Sequence, residues 1–427
     1  MKNLLFKGGR VIDPAAGMDS LNDILTNGER ILRIGPDMTP PENTEVLNCD
    51  GLIIVPGLID MHTHLREPGR EDKETIQTGV AAAAAGGFTS IACMPNTSPV
   101  NDTASVTDYI LGKAKKIDTI QIWPVGAITK GLKGESLSEM AELKDAGVVA
   151  LSDDGRPLRN TDLMRRALEY TGMLDLLIIS HCEDLDLAGD GVMNEGRMST
   201  RLGLPGIPSE AEEIMVAREI CLSRLTRRPI HIAHVSTAGS VRLIRMAKEE
   251  GISITSEVTP HHLCLTEEAV AGFDPNTKVN PPLRTEADQD ALIKGLQDGT
   301  IDVIASDHAP HTTAEKEKDY TFAPFGITGM ETALPLILTR LYHQKCLDMS
   351  EIVRKMSLNP ARILKLDRGS LTPDKIADIT VIDPEKEKVV DVSLFKSKAR
   401  NCPFHGWSLK GYPVMTFCRG KIVFKDM

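Results

Sequence analysis

Two histidines, His62 and His64, stand two residues apart at the end of the apolar run GLIDMHTHL. If that run is a β-strand, side chains at i and i+2 share a face, so both imidazoles can grip one ion. Residues of the same kind recur where later apolar runs end: Asp153 and Asp154 after GVVALS, His181 after DLLIIS, His234 after RPIHIA and Asp307 after DVIAS. Singly, each has an ordinary explanation. A His-x-His pair arises by chance, two carboxylates before Gly155 can cap a turn, His181 can be a satisfied core histidine, and Asp307 can orient His308. Jointly, five run ends carry enough nitrogen and oxygen donors for two zinc-type ions, one on the His62/His64 side and one on the His181/His234 side, with a carboxylate between them. The chemistry such a set serves is hydrolysis of an amide-like carbonyl. An amide is a poor electrophile and water a poor nucleophile near neutrality. Metal ions polarise the carbonyl and lower the pKa of water from about 15.7 towards 7. A carboxylate such as Asp307 can then carry the proton to the leaving nitrogen.

The remaining histidines are assigned other work. His231 lies three before His234 and is expected to face the helices and pack, and His308 is out of phase with Asp307. His261 and His262 follow the seventh run, where capping a turn, supporting a ligand and touching substrate are all open. His343 and His405 are expected at the surface.

These side chains need a frame that brings five run ends to one place. Residues 54–365 alternate eight strand-like runs with helical stretches such as ETIQTGVAAAAAGG, SLSEMAELKDAG, SEAEEIMVAREICLSRL and SVRLIRMAKEEG, the first stopped by Gly86 and Gly87. Eight strand–helix units favour a (β/α)8 TIM-like barrel over an open sheet, and such barrels gather catalysis at the C-terminal ends of their strands. Both chain ends read differently. LLFKGGRVID, DILTNGERILRIG, ADITVIDPEKEKVV and PVMTFCRGKIVFKD are short apolar runs broken by turn residues. Such strands cannot bury a face alone, so residues 1–53 and 366–427 are expected to build one small β-sandwich beside the barrel.

Composition narrows the class further. A 427-residue chain exceeds one compact core, and its formal charge of −11 without basic runs speaks against nucleic-acid or anionic-membrane partners. The eight cysteines are scattered with no Cys-x-x-Cys pair, which suits free thiols in a reducing compartment. No stretch approaches the roughly 20 apolar residues of a membrane span, and MKNLLFKGGRVID lacks a leader's cleavage site, so a cytoplasmic enzyme is expected.

The motifs carry a resemblance. DMHTHLREPG (60–69), CMPNTSPV (93–100), HCED (181–184), NEGRMSTRLGLPGIPSEAE (194–212), HVSTAGS (234–240), EVTPHHL (257–263), KVNPPLR (278–284), SDHAPH (306–311) and APFGITGMETALP (323–335) run in order along the chain. Together they resemble the amidohydrolase superfamily and, within it, the dihydroorotases of the longer bacterial class. The resemblance implies reversible closure of N-carbamoyl-L-aspartate to L-dihydroorotate and water, in pyrimidine biosynthesis. It implies two zinc ions per subunit, the first held by His62 and His64 with Asp307, the second by His181 and His234. Many relatives bridge the ions with a carboxylated lysine. ALSDDG has none, so Asp154 is assigned as the bridge, with Asp153 as the alternative. Asp307 becomes the proton carrier. His64, Arg66, Asn96, Asn280, His311, Phe325 and Gly326 become the substrate contacts, with Arg66 as a two-pronged donor to the substrate carboxylate. Against this, Arg66 could simply pair with Glu67, and either asparagine could support a turn before proline. A homo-oligomer and an association with aspartate transcarbamoylase are further expectations. Hydantoinases, dihydropyrimidinases and allantoinases are the nearest rivals, but they generally keep the bridging lysine and lack the Arg–Asn clamp. A metal-less scaffold is the rival from another class. The segment Thr312–Tyr320, rich in Glu and Lys, is either a lid or a solvated loop.

Overall fold

A computed structural model describes residues 3–426, so Met1, Lys2 and Met427 of the expected terminal spans lie outside the described residues. Each of the eight apolar runs contains a strand: Leu58–Thr63, Phe88–Cys93, Gln121–Ala127, Ala150–Ser152, Leu177–Ser180, Ile230–Ile232, Ile254–Val258 and Val303–Ile304. They pair in that order, all parallel. The sheet closes just past its last strand, where Thr63 bridges His308 and the His64 N–H donates to His308 O at 2.8 Å. The result is the (β/α)8 barrel.

The strands read as short, continuous apolar runs because both of their faces are covered. Ile178, Ile230, Ile232, Ile254 and Val258 belong to the large cluster shared with the helices, whereas Met61, Ala92, Val125, Ala150, Ile179 and Val303 form a separate cluster inside the barrel. The segment after residue 356 closes the mouth where the strands begin. Ser357 Oγ donates to Gly57 O (2.8 Å), Asn359 Nδ2 donates to Asp302 O (2.7 Å), and Leu364 joins the interior cluster. Chemistry is thereby left to the opposite mouth.

The helices follow their local signals. Thr75 caps Ile76–Ala85 by accepting from the Thr78 N–H, and the chain leaves that helix through Gly86 and Gly87. Gly87 has φ +89°, and a Cβ there would lie 2.9 Å from Thr380 Cγ2, so the stop also lets the terminal sheet approach. The other three helical stretches become Met140–Ala146, Glu210–Thr226 and Ala238–Glu249.

The second β-structure draws on both chain ends. Asn3–Asp13, Met18–Asn27, Arg30–Gly35, Thr44–Asn48 and Ile53–Pro56 join Ile379–Val389, Ser408–Cys418 and Lys421–Lys425 in one hydrogen-bonded set of eight strands. Ile53–Pro56 is the seam. It pairs in parallel with the first strand (Arg10↔Ile53) and antiparallel with the C-terminal half (Ile379↔Pro56), then leads through Gly57 into the barrel. Phe6 meets Phe417 edge-on at 4.7 Å in a core that also holds Ile24, Ile54, Ile379 and Val381. Among the described residues no helix is long and apolar enough to cross a membrane.

Candidate active site

The first barrel strand delivers two imidazoles. Its register breaks between Asp60 and Thr63, and both His62 and His64 are buried at the catalytic mouth. Each is oriented through its Nδ1. His62 Nδ1 donates to Glu257 Oε1 at 2.6 Å, and His64 Nδ1 donates to Asn96 Oδ1 at 2.8 Å. Both Nε2 atoms therefore turn to the same space, an arrangement that prepares imidazole for a metal.

Asp154 occupies that space. Its carboxylate lies 3.4 Å from His62 Nε2, 3.4 Å from His64 Nε2, 3.4 Å from His181 Nδ1 and 3.5 Å from His234 Nε2. Asp153 points elsewhere. Its Oδ1 accepts from the N–H groups of Ile128 (2.8 Å) and Thr129 (3.0 Å), and its Oδ2 from the Thr129 hydroxyl. Of the adjacent pair, one carboxylate fastens the third strand's loop and the other faces four histidines. Asp307 stands on the His64 side, its Oδ1 3.1 Å from His64 Nε2 and 3.6 Å from His62 Nε2. His181 Nε2 donates to Glu183 Oε2 at 3.2 Å, leaving Nδ1 2.8 Å from His234 Nε2.

The cluster favours positive charge. Burial alone would depress the His181 imidazole, yet the Asp154 and Glu183 carboxylates lift it to about 10, and the Asp154 and Glu257 carboxylates likewise outweigh burial at His62 and hold it well above its usual range. Burial opposes ionisation of Asp154 and Asp307 too, but His62, His181 and His234 hold the first well below the ordinary carboxylate value, and His64 and His62 do so for the second. His62 Nε2, Asp154 Oδ1 and His234 Nδ1 are buried with no hydrogen-bond partner. Donor atoms of His62, His64 and Asp154 lie within 4.8 Å of one another, as do those of Asp154, His181 and His234. Two groups of N and O donors sharing one carboxylate, with unmatched lone pairs, are a donor set that fits divalent cations.

A cavity of about 210 Å³ opens beside this cluster, and His64, Arg66, Asn96, Asn280, His311, Phe325 and Gly326 all line it. Arg66 adopts φ +64° and donates through Nε to Pro310 O at 3.1 Å, and burial lowers its guanidinium to about 10, so it stays charged at neutral pH. It does not pair with Glu67, which accepts from Ile76 N (2.8 Å), Tyr109 Oη (2.9 Å) and Lys113 Nζ (2.8 Å). Asn280 Nδ2 donates to Glu183 Oε2 (3.0 Å), and His311 Nε2 donates to Phe325 O (2.8 Å). Gly326 has φ +120°, and a Cβ there would sit 2.7 Å from Ala309 Cβ. Part of the Thr312–Tyr320 segment is the short helix Thr313–Lys316. It is tied down by Lys73 to Glu315 (2.7 Å) and by Lys316 Nζ to Pro275 O and Pro324 O (2.9 and 2.8 Å).

The expectation for His231 needs correcting. It packs, but not against the helices: its Nε2 donates to Glu257 Oε2 at 3.2 Å and its Nδ1 accepts from Thr255 Oγ1 at 2.8 Å. Glu257 sits on the seventh strand and His62 on the first, so the chain Thr255–His231–Glu257–His62 runs through the barrel interior. The counting error lies in His234. The sixth strand ends at Ile232, and the chain turns at His234 with φ +30°, so strand alternation cannot relate the two positions. His308 is drawn away from the site to Glu74 at 3.3 Å. His262 accepts at Nδ1 from the Thr259 hydroxyl (2.7 Å) and donates through Nε2 to Pro281 O (3.0 Å), while His261 is buried with its Nε2 unpartnered. Sequence reasoning missed Glu257 and Glu183 as the carboxylates that orient His62 and His181. Both stood inside quoted motifs, EVTPHHL and HCED, where an acid near ligand histidines is the available signal.

Known proteins point the same way. A family model described as dihydro-orotase-like matches residues 51–240. Two proteins named dihydroorotase are close in sequence. The one from Syntrophus aciditrophicus (strain SB) is 54% identical over 424 residues, covering 99% of each chain. The one from Pelotomaculum thermopropionicum (strain DSM 13744 / JCM 10971 / SI) is 55% identical over 423 residues, again covering 99% of each. Among solved structures, the L-hydantoinase (dihydropyrimidinase) of Arthrobacter aurescens superposes with a TM-score of 0.88 at 25% identity, over 100% of this chain and 97% of that one. The dihydropyrimidinase of Brevibacillus agri NCHU1002 gives 0.85 at 22% identity over 99% and 95%, a likeness of fold.

Proposed function

Since this chain belongs to the dihydroorotase family, we propose that the cavity between the histidine cluster and the Arg66 wall is where N-carbamoyl-L-aspartate closes to L-dihydroorotate. The chain is a cyclic amide hydrolase of pyrimidine biosynthesis, running this closure reversibly with loss of water. One observation carries the site reading: Asp154 lies within 3.5 Å of four imidazole nitrogens, beside a cavity whose wall holds a charged guanidinium.

In this reading two zinc ions bind per subunit. His62, His64 and Asp307 would hold one, His181 and His234 the other, and Asp154 would serve both. When bound, the ions polarise the ring amide and acidify water. The chain's own residues do the rest. Glu257, Asn96 and Glu183 each fix an imidazole by taking the N–H on its far side, so that the near nitrogen offers a lone pair. Arg66 holds the substrate carboxylate, while Asn96, Asn280, His311 and the Phe325–Gly326 backbone shape the cavity around the ring. Asp307 is ionised beside His64 and moves one proton. In ring opening the proton passes from water to the nitrogen as the C–N bond breaks, and in closure it returns. Residues 54–365 form the catalytic unit in this scheme, supported by 1–53 and 366–427. Self-association, and contact with an aspartate transcarbamoylase, belong to the same reading and are tested by gel filtration of the chain alone and mixed with that enzyme.

One assay tests the substrate assignment: turnover of dihydroorotate, hydantoin, dihydrouracil and allantoin, with zinc quantified on the same sample. Dihydroorotate is expected to be preferred. Arg66→Ala is expected to raise KM for dihydroorotate and leave hydantoin little affected, because only the former presents a carboxylate. Equal damage to both substrates refutes the clamp.

A further inference from the structure

One residue from outside the barrel reaches the substrate wall. Asn401, in the C-terminal segment between strands Ile379–Val389 and Ser408–Cys418, is buried at 4% exposure, with every polar atom of its amide in use. Its Oδ1 accepts from the His311 N–H (3.1 Å), and its Nδ2 donates to both Ala309 O and Gly326 O (3.1 Å each). Its backbone O accepts from the Thr328 N–H at 2.9 Å. Ala309, His311 and Gly326 are lining residues of the cavity, from two loops separated in sequence.

We infer that Asn401 is a positioning residue for the reaction, a side-chain staple that sets the spacing of the two loops forming the carboxylate side of the cavity. Three geometric facts support it. First, the two loops approach so closely that only glycine fits at 326, where a Cβ would lie 2.7 Å from Ala309 Cβ. Second, the loops meet directly at their inner ends, through Ala309 N–H to Ile327 O (2.7 Å) and Gly329 N–H to His308 Nδ1 (3.1 Å), whereas at the cavity wall only His311 Nε2 to Phe325 O (2.8 Å) and the Asn401 amide span the gap. Third, the segment carrying Asn401 is itself anchored. Ser397 Oγ donates to Glu74, which holds His308 Nε2 at 3.3 Å, and the His308 backbone closes the barrel next to His64. The small β-unit thus contributes to substrate geometry as well as to packing. A planar amide is the side chain suited to the task, since it supplies one acceptor and two donors in fixed directions. Neither Ala nor Asp supplies that set, and Asp would place negative charge against two carbonyl oxygens.

The inference rests on this cavity being the carboxylate-binding site, and the experiment separates the two. Asn401→Ala, Asn401→Asp, Asn401→Ser and Arg66→Ala are compared for KM and kcat on dihydroorotate, for zinc content and for Tm. Asn401→Ala is expected to raise KM about tenfold or more, with kcat changing less than threefold and zinc content equal to the parent's. Asn401→Asp should be at least as impaired, and Asn401→Ser, which keeps one hydroxyl, intermediate. A normal KM in a folded Asn401→Ala, or a kcat loss that tracks lost zinc, overturns the staple. If Arg66→Ala is also silent, the reading of the cavity falls instead. Hydrogen exchange on the unmodified protein decides the matter even if the variants do not fold. The staple requires peptides covering 308–312, 325–328 and 400–402 to open together, and independent opening overturns it.

Discussion

The carboxylate of Glu257 offers the sharpest test of how this site is organised. It is fully buried, accepts from His62 Nδ1 at 2.6 Å, from His231 Nε2 at 3.2 Å and from the His234 N–H at 3.4 Å, and does not line the cavity. Glu257→Gln keeps the shape and removes the charge. Of the two carboxylate oxygens, one accepts from His62 and His234 and the other from His231, so replacing either by an amide NH2 sets donor against donor, and the facing histidine must change tautomer or lose its bond. Hydrogen bonds to charged groups contribute about 1.5–3 kcal/mol, and loss of a ligand's outer partner typically weakens metal binding about 10- to 100-fold. The expected loss of zinc affinity is therefore about 1.4–2.8 kcal/mol, at about 1.4 kcal/mol per tenfold. Competition with a chromophoric chelator reads this directly, on protein whose far-UV spectrum matches the parent's. An unchanged zinc affinity in the folded variant would refute the role given to Glu257. Acid supplies a second check on the metal-free proteins. Burial raises the Glu257 carboxyl, but the charge of His62 and the bond from His231 outweigh it and bring it down to about 2 from an ordinary 4.5. A depressed carboxylate contributes stability that is complete above 4.5 and is lost as pH falls towards 2. The parent's advantage over Glu257→Gln should vanish across that window.

Three further outcomes are expected. Asp307→Asn should lower kcat by about 100- to 10,000-fold, the usual worth of a general acid–base, while the zinc held by His181 and His234 stays bound; near-normal turnover would remove the proton-carrier role. Asp154→Ala and Asp153→Ala should separate cleanly. The former should lose zinc, and the latter should keep its zinc but lose stability by about 1–3 kcal/mol as buried donors go unpaired; identical zinc contents would dissolve the distinction. Lys316 is brought down to about 7 by burial, against an ordinary 10.5. Between those values the unfolded chain binds more protons than the folded one, so stability rises with pH. Parent Tm at pH 9.5 relative to pH 7 should accordingly gain on that of Lys316→Met, and no relative gain would mean the ammonium is solvated.

Much of the fold was legible because it depends on pattern. Eight apolar runs and the capped helices between them survive averaging over side chains, and the barrel order follows from the connections. The gathering of His62, His64, Asp154, His181, His234 and Asp307 at one mouth was legible for a related reason: these residues recur at the ends of those runs. What failed was alternation carried past a strand end. His234, Asp307 and Arg66 have φ of +30°, +47° and +64°, conformations that L-residues adopt at local cost. A period-two count has no meaning across such a turn, which is why His231 was assigned to the wrong face. Long-range partners were also beyond reach. Glu257 is 195 residues from His62, and Asn401 is 90 from His311, so nothing local marks either contact.

Fold and site answer different questions here. The superposition on an L-hydantoinase at a TM-score of 0.88 shows that barrel, flanking β-structure and strand order are shared by cyclic amidases, so none of these can select the ring that is opened. Selection must lie in the few side chains that differ in chemistry across one cavity. In this chain they are an aspartate among four histidines and an arginine whose guanidinium is not spent on its neighbouring glutamate. A buried guanidinium with one hydrogen bond, Nε to Pro310 O, and no ion-pair partner in contact is costly in a cavity of about 210 Å³ unless an anion completes it. A neutral hydantoin cannot do so, whereas the carboxylate of dihydroorotate can. Arg66→Ala should therefore erase the discrimination while leaving the histidine cluster intact.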